Sequence, residues 1–176
     1  TTFTDLVPTT GNQSVSYTDI NLTAGTTYYY KVSAINLVGT GTASAVSNDV
    51  AGSIPDQITT ITATAQSGSE IDLAWSAPSS NGYAITSYTI EVSTDQSTWS
   101  TDGSSAVSSF TSTGLTNGTT YYYRVYSTNG LGDSTMSSVV NDKAGDVPNQ
   151  VTGLTGTALN DTMIRLDWTA PADNSY

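Results

Sequence analysis

The chain has 176 residues and a formal net charge of −11, from 15 acidic and 4 basic side chains, and it contains neither cysteine nor histidine. The length suits two domain equivalents, and the charge disfavours nucleic acid and anionic bilayers as partners, because most of the surface repels a polyanion. The missing thiols and imidazoles exclude disulfides, most zinc sites and Cys or His catalysis, so calcium is the metal that best suits the remaining oxygen ligands.

The first element with a clear pattern is GTTYYYKVSAIN at residues 25–36. In a strand, successive side chains point to opposite faces, so three consecutive tyrosines divide between the core and the surface. The residues that we predict to face inward are Tyr28, Tyr30, Val32 and Ala34. The residues that then face outward are Tyr29, Lys31 and Ser33.

Two predicted strands follow the connector NDVAGSIPDQ at residues 48–57, in which Gly supplies freedom and Pro fixes the entry to the next unit. TTITATA at 59–65 is rich in threonine and predicts an edge strand. SEIDLAW at 69–75 alternates apolar with charged positions, which predicts a half-buried strand with Ile71, Leu73 and Trp75 inward.

Two further apolar stretches precede the second copy of the tyrosine motif. SYTIEVS at 87–93 predicts a strand with Tyr88, Ile90 and Val92 on one side. SSFTSTGL at 108–115 contributes first Phe110 and then Leu115.

The tyrosine triplet recurs in GTTYYYRVYS at residues 118–127. Period two places four residues inward, namely Tyr121, Tyr123, Val125 and Ser127, and three outward, namely Tyr122, Arg124 and Tyr126. We interpret the outward tyrosines as surface packing that shields the stem of a neighbouring Arg or Lys. The alternative for Tyr29, Tyr122 and Tyr126 is an aromatic platform for a sugar or a peptide.

The chain repeats itself at an offset of 93 residues without a gap. The pairs that this offset relates include Leu22 and Leu115, Tyr28 and Tyr121, Pro55 and Pro148, Trp75 and Trp168, Pro78 and Pro171, and Tyr83 and Tyr176. The connector NDKAGDVPNQ at 141–150 matches the connector at 48–57, and TMIRLDW at 162–168 predicts a strand with Ile164, Leu166 and Trp168 inward. One period seen more than once indicates a tandem array.

The offset divides the chain into three parts. We predict a complete unit at 52–144, preceded by the C-terminal part of a repeat at 1–51 and followed by the N-terminal part of another at 145–176. The partial units lack a counterpart of AITSYTIEVS at residues 84–93, so neither should bury a core of its own. Because the chain begins at Thr1, we expect an excerpt from a longer array; the alternative is a polymer whose adjacent subunits complete each other's half-domains.

About seven short strands in a unit, frequent turn signals and no helical period predict an all-β antiparallel sandwich. The string GLTNGTTYYYRVYSTNGLGDS at 114–134, with Trp75 ahead of it and ITSYTIEVS between, resembles the fibronectin type III family. The resemblance implies tandem immunoglobulin-like β-sandwiches with these matched positions: Trp75 and Trp168 on strand B, Tyr88 on strand C, Leu22 and Leu115 before strand F, and Tyr28 and Tyr121 as tyrosine-corner residues whose hydroxyls return to the backbone. Ser127 departs from the usual Ala of that pattern, a change between two small residues.

The residues offer no catalytic constellation, so we predict no enzyme activity, no catalytic residue and no cofactor. A Ser or Thr nucleophile has no obvious base, no GxSxG string occurs, and the carboxylates are expected on outer strand faces and turns. The candidate for a metal is a calcium ion at a connector, held by Asp49 at one and by Asp142 with Asp146 at the other.

Four asparagines fit the N-x-S/T pattern for glycosylation: Asn12, Asn21, Asn117 and Asn160. A chain so rich in Ser and Thr produces several such sites by chance, so their number carries no information. Asn117 stands out because it is expected in an exposed turn before strand F.

Tandem sandwiches predict a structural or adhesive segment of an extracellular surface protein, with neighbouring repeats or copies of the same protein as partners, in a surface layer or a filament. A glycan or protein ligand is a further possible partner that the sequence does not identify. The alternative is a set of spacer or accessory modules in a large secreted carbohydrate-active enzyme. We expect an extracellular or cell-surface location, which suits the acidic, thiol-free composition. The sequence contains no run of the about 18 to 20 apolar residues that a helix needs to span a membrane.

Overall fold

The structure, a computed structural model, describes Phe3 and residues 14–174, and it contains only strands, turns and irregular segments over this part of the chain. Within it, no helix is long and apolar enough to cross a membrane. The chain divides into two compact units, one made of residues 1–53 with 81–83 and the other of residues 54–80 with 84–176. The prediction of an all-β antiparallel fold is confirmed.

The first unit contains two antiparallel strand pairs. Its strands are β1 (Thr27–Tyr30), β2 (Ile35–Asn36), β3 (Gly39–Thr40) and β4 (Ser47–Val50). β1 pairs with β4, and β2 pairs with β3. Tyr28 and Tyr30 are half-buried, but Val32 is 74% exposed and Ala34 is exposed as well. Val32 and Ala34 lie on the face predicted to be inward, but no second sheet covers them in the described part of this unit. Their exposure agrees with the expectation that this partial unit buries no core of its own.

The second unit begins with a β-sandwich. Its strands are β5 (Ile61–Gln66), β6 (Glu70–Trp75), β7 (Ser87–Ser93), β8 (Ser100–Ser105), β9 (Ser109–Ser112), β10 (Thr120–Asn129), β11 (Gly132–Asp133) and β12 (Val140–Lys143). One sheet has the order β5-β6-β9, and the other has the order β11-β10-β7-β8 with β12 also paired to β10. β5 pairs only with β6 in its sheet, which confirms the edge strand predicted from the threonine-rich stretch.

Residues from both sheets form the core of this sandwich. Its fully or nearly fully buried members are Ile58, Ile61, Ile71, Leu73, Trp75, Tyr88, Ile90, Tyr123, Val125 and Ala144. Leu115, Phe110 and Val92 pack against them. The alternating residues of β6 and β7 that were predicted to face inward therefore do so, as period two requires.

The second unit ends in a hairpin of β13 (Thr152–Asn160) and β14 (Met163–Thr169), paired with irregularities in register. The row predicted to face inward is open: Ile164 is 69% exposed, Leu166 55% and Trp168 58%. No sheet covers the hairpin within the described residues, which agrees with the expectation that this partial unit buries no core of its own. Tyr176, the partner of Tyr83 in the repeat, lies outside them.

Candidate functional site

Strand β10 carries the second tyrosine triplet and divides it between two faces as predicted. Tyr123, Val125 and Ser127 are 0% exposed, and Tyr121 packs against the core. On the opposite face, Tyr122, Arg124 and Tyr126 are half-buried. Inward positions thus hold the sandwich together, and only the outward ones are accessible to a partner.

The tyrosine corner occurs in both copies of the motif. The Tyr121 hydroxyl accepts a hydrogen bond from the Thr116 backbone N–H at 3.1 Å, and the Tyr28 hydroxyl accepts one from Thr23 N–H at 3.0 Å. In each case the tyrosine reaches back five residues to tie the turn to the strand. These contacts confirm the role that the family resemblance implied for both residues.

An arginine occupies the centre of the outer face of β10. Arg124 Nε donates to Glu91 Oε2 at 2.6 Å across the β7–β10 pairing, and its guanidinium lies 4.2 Å from the centroid of the Trp99 ring. The Trp99 Nε1–H is itself bonded to the Gln96 carbonyl at 3.2 Å. The ion pair and the cation–π contact hold the arginine in one place, so this face presents a fixed cation between two tyrosines.

The corresponding tyrosine of the first unit is more accessible. Tyr29 is 51% exposed, and the neighbouring Lys31 ammonium lies 4.4 Å from the centroid of the Phe3 ring. Of the three tyrosines considered for an aromatic platform, Tyr29 is therefore the most open, whereas Tyr122 and Tyr126 lie beside a side-chain cluster that already engages Arg124. The packing interpretation suits the second copy better.

The carboxylates at the connectors accept backbone hydrogen bonds. Asp142 Oδ2 accepts from Ala65 N–H at 2.8 Å, and Asp146 Oδ1 accepts from Gly68 N–H at 2.9 Å and Val147 N–H at 2.7 Å. The two bonds to Asp146 lower the pKa of its carboxyl group.

Asp49 Oδ1 is used in the same way, since it accepts from Val50 N–H at 2.8 Å and from the Tyr83 hydroxyl at 3.1 Å, both within the first unit. Across the described residues, no three acidic side chains are grouped so that they could hold a metal ion. The calcium hypothesis thus gains no support, because calcium normally takes six to eight oxygen ligands.

The predicted glycosylation sites differ in how far the side chain is engaged. Asn117 is half-buried, and its Oδ1 accepts a hydrogen bond from the Ser69 hydroxyl at 2.7 Å. Asn21 and Asn160 are exposed, and Asn12 lies outside the described residues. Asn117 is thus not the freely exposed turn residue that was expected, because its side chain is bonded to Ser69, the residue before β6.

One carboxylate lies where the sequence interpretation did not place it. The pairing of β7 with β8 passes from Ile90 opposite Gly103 to Glu91 opposite Thr101, which leaves Asp102 as the extra residue of a β-bulge. Asp102 Oδ2 is buried, so the expectation that all carboxylates lie on outer faces and turns is wrong at this position. No signal in the polar stretch STDGSS marks the bulge, because it contains no apolar alternation from which a face could be assigned.

A two-layer antiparallel sandwich with a tyrosine corner and a tryptophan packed in its core belongs to the immunoglobulin-like class. The model of the fibronectin type III domain family matches residues 56–143, half of the chain. The chain belongs to the fibronectin type III family.

Relatives and solved structures resemble the chain in part. Exoglucanase B of Cellulomonas fimi is 28% identical over 91% of this chain, and the match covers 16% of that protein's length. The sixth fibronectin type III domain of human fibronectin type III domain containing protein 3 is 27% identical, with a TM-score of 0.50 over 58% of this chain and 97% of that domain. Domains d3-d4 of the rat CD45 extracellular region share the fold, with a TM-score of 0.53 and 20% identity over 82% of this chain and 78% of theirs.

Proposed function

We propose that the chain is a non-catalytic structural segment of an extracellular surface protein or filament, built from tandem fibronectin type III repeats. The repeat offset of 93 residues with two matching connectors is the observation that carries this proposal. The contacts of the connector carboxylates are consistent with it, since Asp142 and Asp146 brace backbone N–H groups.

The boundaries we propose are a complete repeat at 52–144, with parts of neighbouring repeats at 1–51 and 145–176. The open apolar rows support this division, because Leu166 and Trp168 at one end and Val32 at the other occupy positions that the complete repeat buries. Further repeats of a longer array would cover these rows. The alternative is that neighbouring copies of the protein complete each other's partial repeats.

Calorimetry and limited proteolysis of the 176-residue chain test the boundaries. We expect one cooperative transition, from residues 52–144, with cleavage in the flanking parts, because only the complete repeat has a core. Three comparable transitions would contradict the boundaries. Sedimentation over a range of concentrations tests the other arrangement, since completion between copies requires concentration-dependent association.

A second candidate function is a spacer or accessory module of a carbohydrate-active enzyme, and the similarity to Exoglucanase B favours it. In this setting the repeats would separate a catalytic domain from other modules without contacting the substrate. Sedimentation of the chain with insoluble cellulose separates a spacer from a binding module. A spacer stays in the supernatant, whereas binding that is lost in Tyr122→Ala would show that the outer aromatic face binds a glycan and would contradict a purely spacing role.

A further inference from the structure

Five buried side-chain atoms have no protein hydrogen-bond partner among the described residues. Three of them are Asp102 Oδ2, Ser112 Oγ and Tyr123 Oη; the other two are Trp75 Nε1 and Ser127 Oγ. Ser112 is 1% exposed and Tyr123 is 0% exposed, so bulk water cannot satisfy either hydroxyl. Leaving a buried polar group without a partner costs about 1 to 3 kcal/mol. Three such groups together point to a partner that the protein itself does not supply.

The three residues come from both sheets and converge on the Tyr123 phenol, next to which lies the Ser112 hydroxyl and on which the Asp102 charge acts. The Asp102 carboxylate and the Ser112 hydroxyl are each close enough to the Tyr123 phenol to act on its ionisation in opposite directions. The bulge turns Asp102 inward from β8. The next residue, Gly103, lies so close to the Phe110 ring of β9 that an added Cβ would stand 2.7 Å from it. β8 therefore passes directly by β9, which carries Ser112.

In the first copy of the repeat, the hydroxyl of the corresponding tyrosine has a direct hydrogen-bond partner. Tyr30 corresponds to Tyr123, and its hydroxyl donates directly to Asp19 Oδ2 at 3.1 Å. At the same offset Asp19 corresponds to Ser112, and Asp102 corresponds to Thr9, which lies outside the described residues. Each copy thus has one acid and one hydroxyl residue at these two positions, and the acid occupies a different one of the two in each copy.

We propose that Asp102 Oδ2, Ser112 Oγ and Tyr123 Oη together bind one buried water molecule, which bridges the two sheets of the complete repeat. Buried waters typically make about three hydrogen bonds to groups that otherwise lack partners. The water donates to the carboxylate and exchanges donor and acceptor roles with the two hydroxyls. One carboxylate and two hydroxyls offer too little charge for a calcium ion, so water is the ligand that this donor set fits.

Removing one hydroxyl at a time gives a test that depends on the sign of the effect. If a water links the three groups, Tyr123→Phe and Ser112→Ala each lower the Tm, by about 4–8 °C for the loss of one ordinary hydrogen bond in a domain of this size. If the groups are dry and unpaired, the same substitutions raise the Tm, because they remove a desolvated hydroxyl. Tyr122→Phe on the outer face of the same strand is the matched control and should leave the Tm unchanged.

An exchange of the two residues provides an independent test. Asp102→Thr combined with Ser112→Asp reproduces the arrangement of the first copy, so the carboxylate should reach Tyr123 directly and the Tm should recover most of what Asp102→Thr alone loses. A double variant no more stable than the single one would contradict the proposal. A high-resolution crystal structure of the unmodified chain decides the same point, since Asp102 bonded directly to Tyr123, with no ordered water between the three atoms, would overturn it.

Discussion

Trp75 packs edge-on against Tyr88, with their ring centroids 5.2 Å apart and their planes inclined at 63°. The two rings come from strands of different sheets, β6 and β7, so this contact joins the two layers. T-shaped aromatic pairs add roughly 0.5 to 1.5 kcal/mol to the area that they bury. Trp168, which corresponds to Trp75 in the repeat, is 58% exposed and lacks any such ring contact among the described residues.

The two tryptophans should therefore respond very differently to truncation. Trp75→Ala should lower the free energy of unfolding by about 3 to 5 kcal/mol, because it empties a large volume in the core. Trp168→Ala, the same chemical change at an exposed position, should stay within about 0.5 kcal/mol. Urea denaturation of both variants measures the difference, and equal losses would mean that the hairpin at the C-terminal end buries its tryptophan in solution.

The tyrosine corner gives a second prediction. Tyr121→Phe removes the acceptor of the Thr116 N–H and leaves the ring in place, so it should cost about 1 kcal/mol of unfolding free energy. Tyr126→Phe on the outer face serves as the control with little expected effect. A Tyr121→Phe variant as stable as the control would show that water replaces the lost acceptor at no cost.

Tyr123 predicts a loss of stability at alkaline pH. Burial raises the pKa of its phenol to about 12, the Ser112 hydroxyl opposes this, and the Asp102 carboxylate adds to it. The folded-state pKa thus exceeds the unfolded value of about 10. The protonated phenol therefore stabilises the folded state in full below pH 10, by a free energy on the order of 2 kcal/mol. This stabilisation disappears as the pH rises towards 12. The free energy of unfolding, measured across this pH range, should decline as the pH rises. In Tyr123→Phe the part of the decline that comes from this phenol should be absent.

The hydrogen bonds of the Asp95 carboxylate predict that the protein loses stability at acid pH. Its carboxylate accepts N–H bonds from Thr98 and Ser97 and a hydroxyl bond from Ser93, which hold its pKa well below the usual range. A lowered folded-state pKa stabilises the fold above the unfolded pKa of about 3.9, and this stability is lost as the pH falls below it. Asp95→Asn should flatten this part of the acid transition, whereas Asp161→Asn in the exposed β13–β14 turn should not.

Period two was sufficient to assign the faces of the regular strands. Ile71, Leu73 and Ile90 are buried as predicted, because β6 and β7 are covered on one side and each apolar residue falls on the covered side. Val32 and Trp168 fall on the corresponding face of their strands but are exposed, as expected for partial units without a core of their own. Alternation identifies which residues share a face, but it does not establish that a second sheet lies over that face.

The burial of the Asp102 carboxylate was not predicted, for a different physical reason. A β-bulge reverses the face of a residue without leaving a mark in composition, so Asp102 looked like an ordinary surface acid. Trp99 was also missed, because it lies just ahead of β8, outside any alternating stretch. The repeat does contain a signal for Asp102 and Ser112. The position that holds Asp19 in the first copy holds Ser112 in the second, and the position of Thr9 holds Asp102.

The different position of this acid in the two copies matters when such repeats are averaged into a consensus module. A position-by-position consensus treats the two sites as independent, and it can therefore select a carboxylate at both of them or at neither. A carboxylate at both sites places two like charges next to a single phenol. A carboxylate at neither site leaves that phenol without a charged partner in an apolar interior. Only sequences chosen with the two sites linked would preserve the compensation that each natural copy contains.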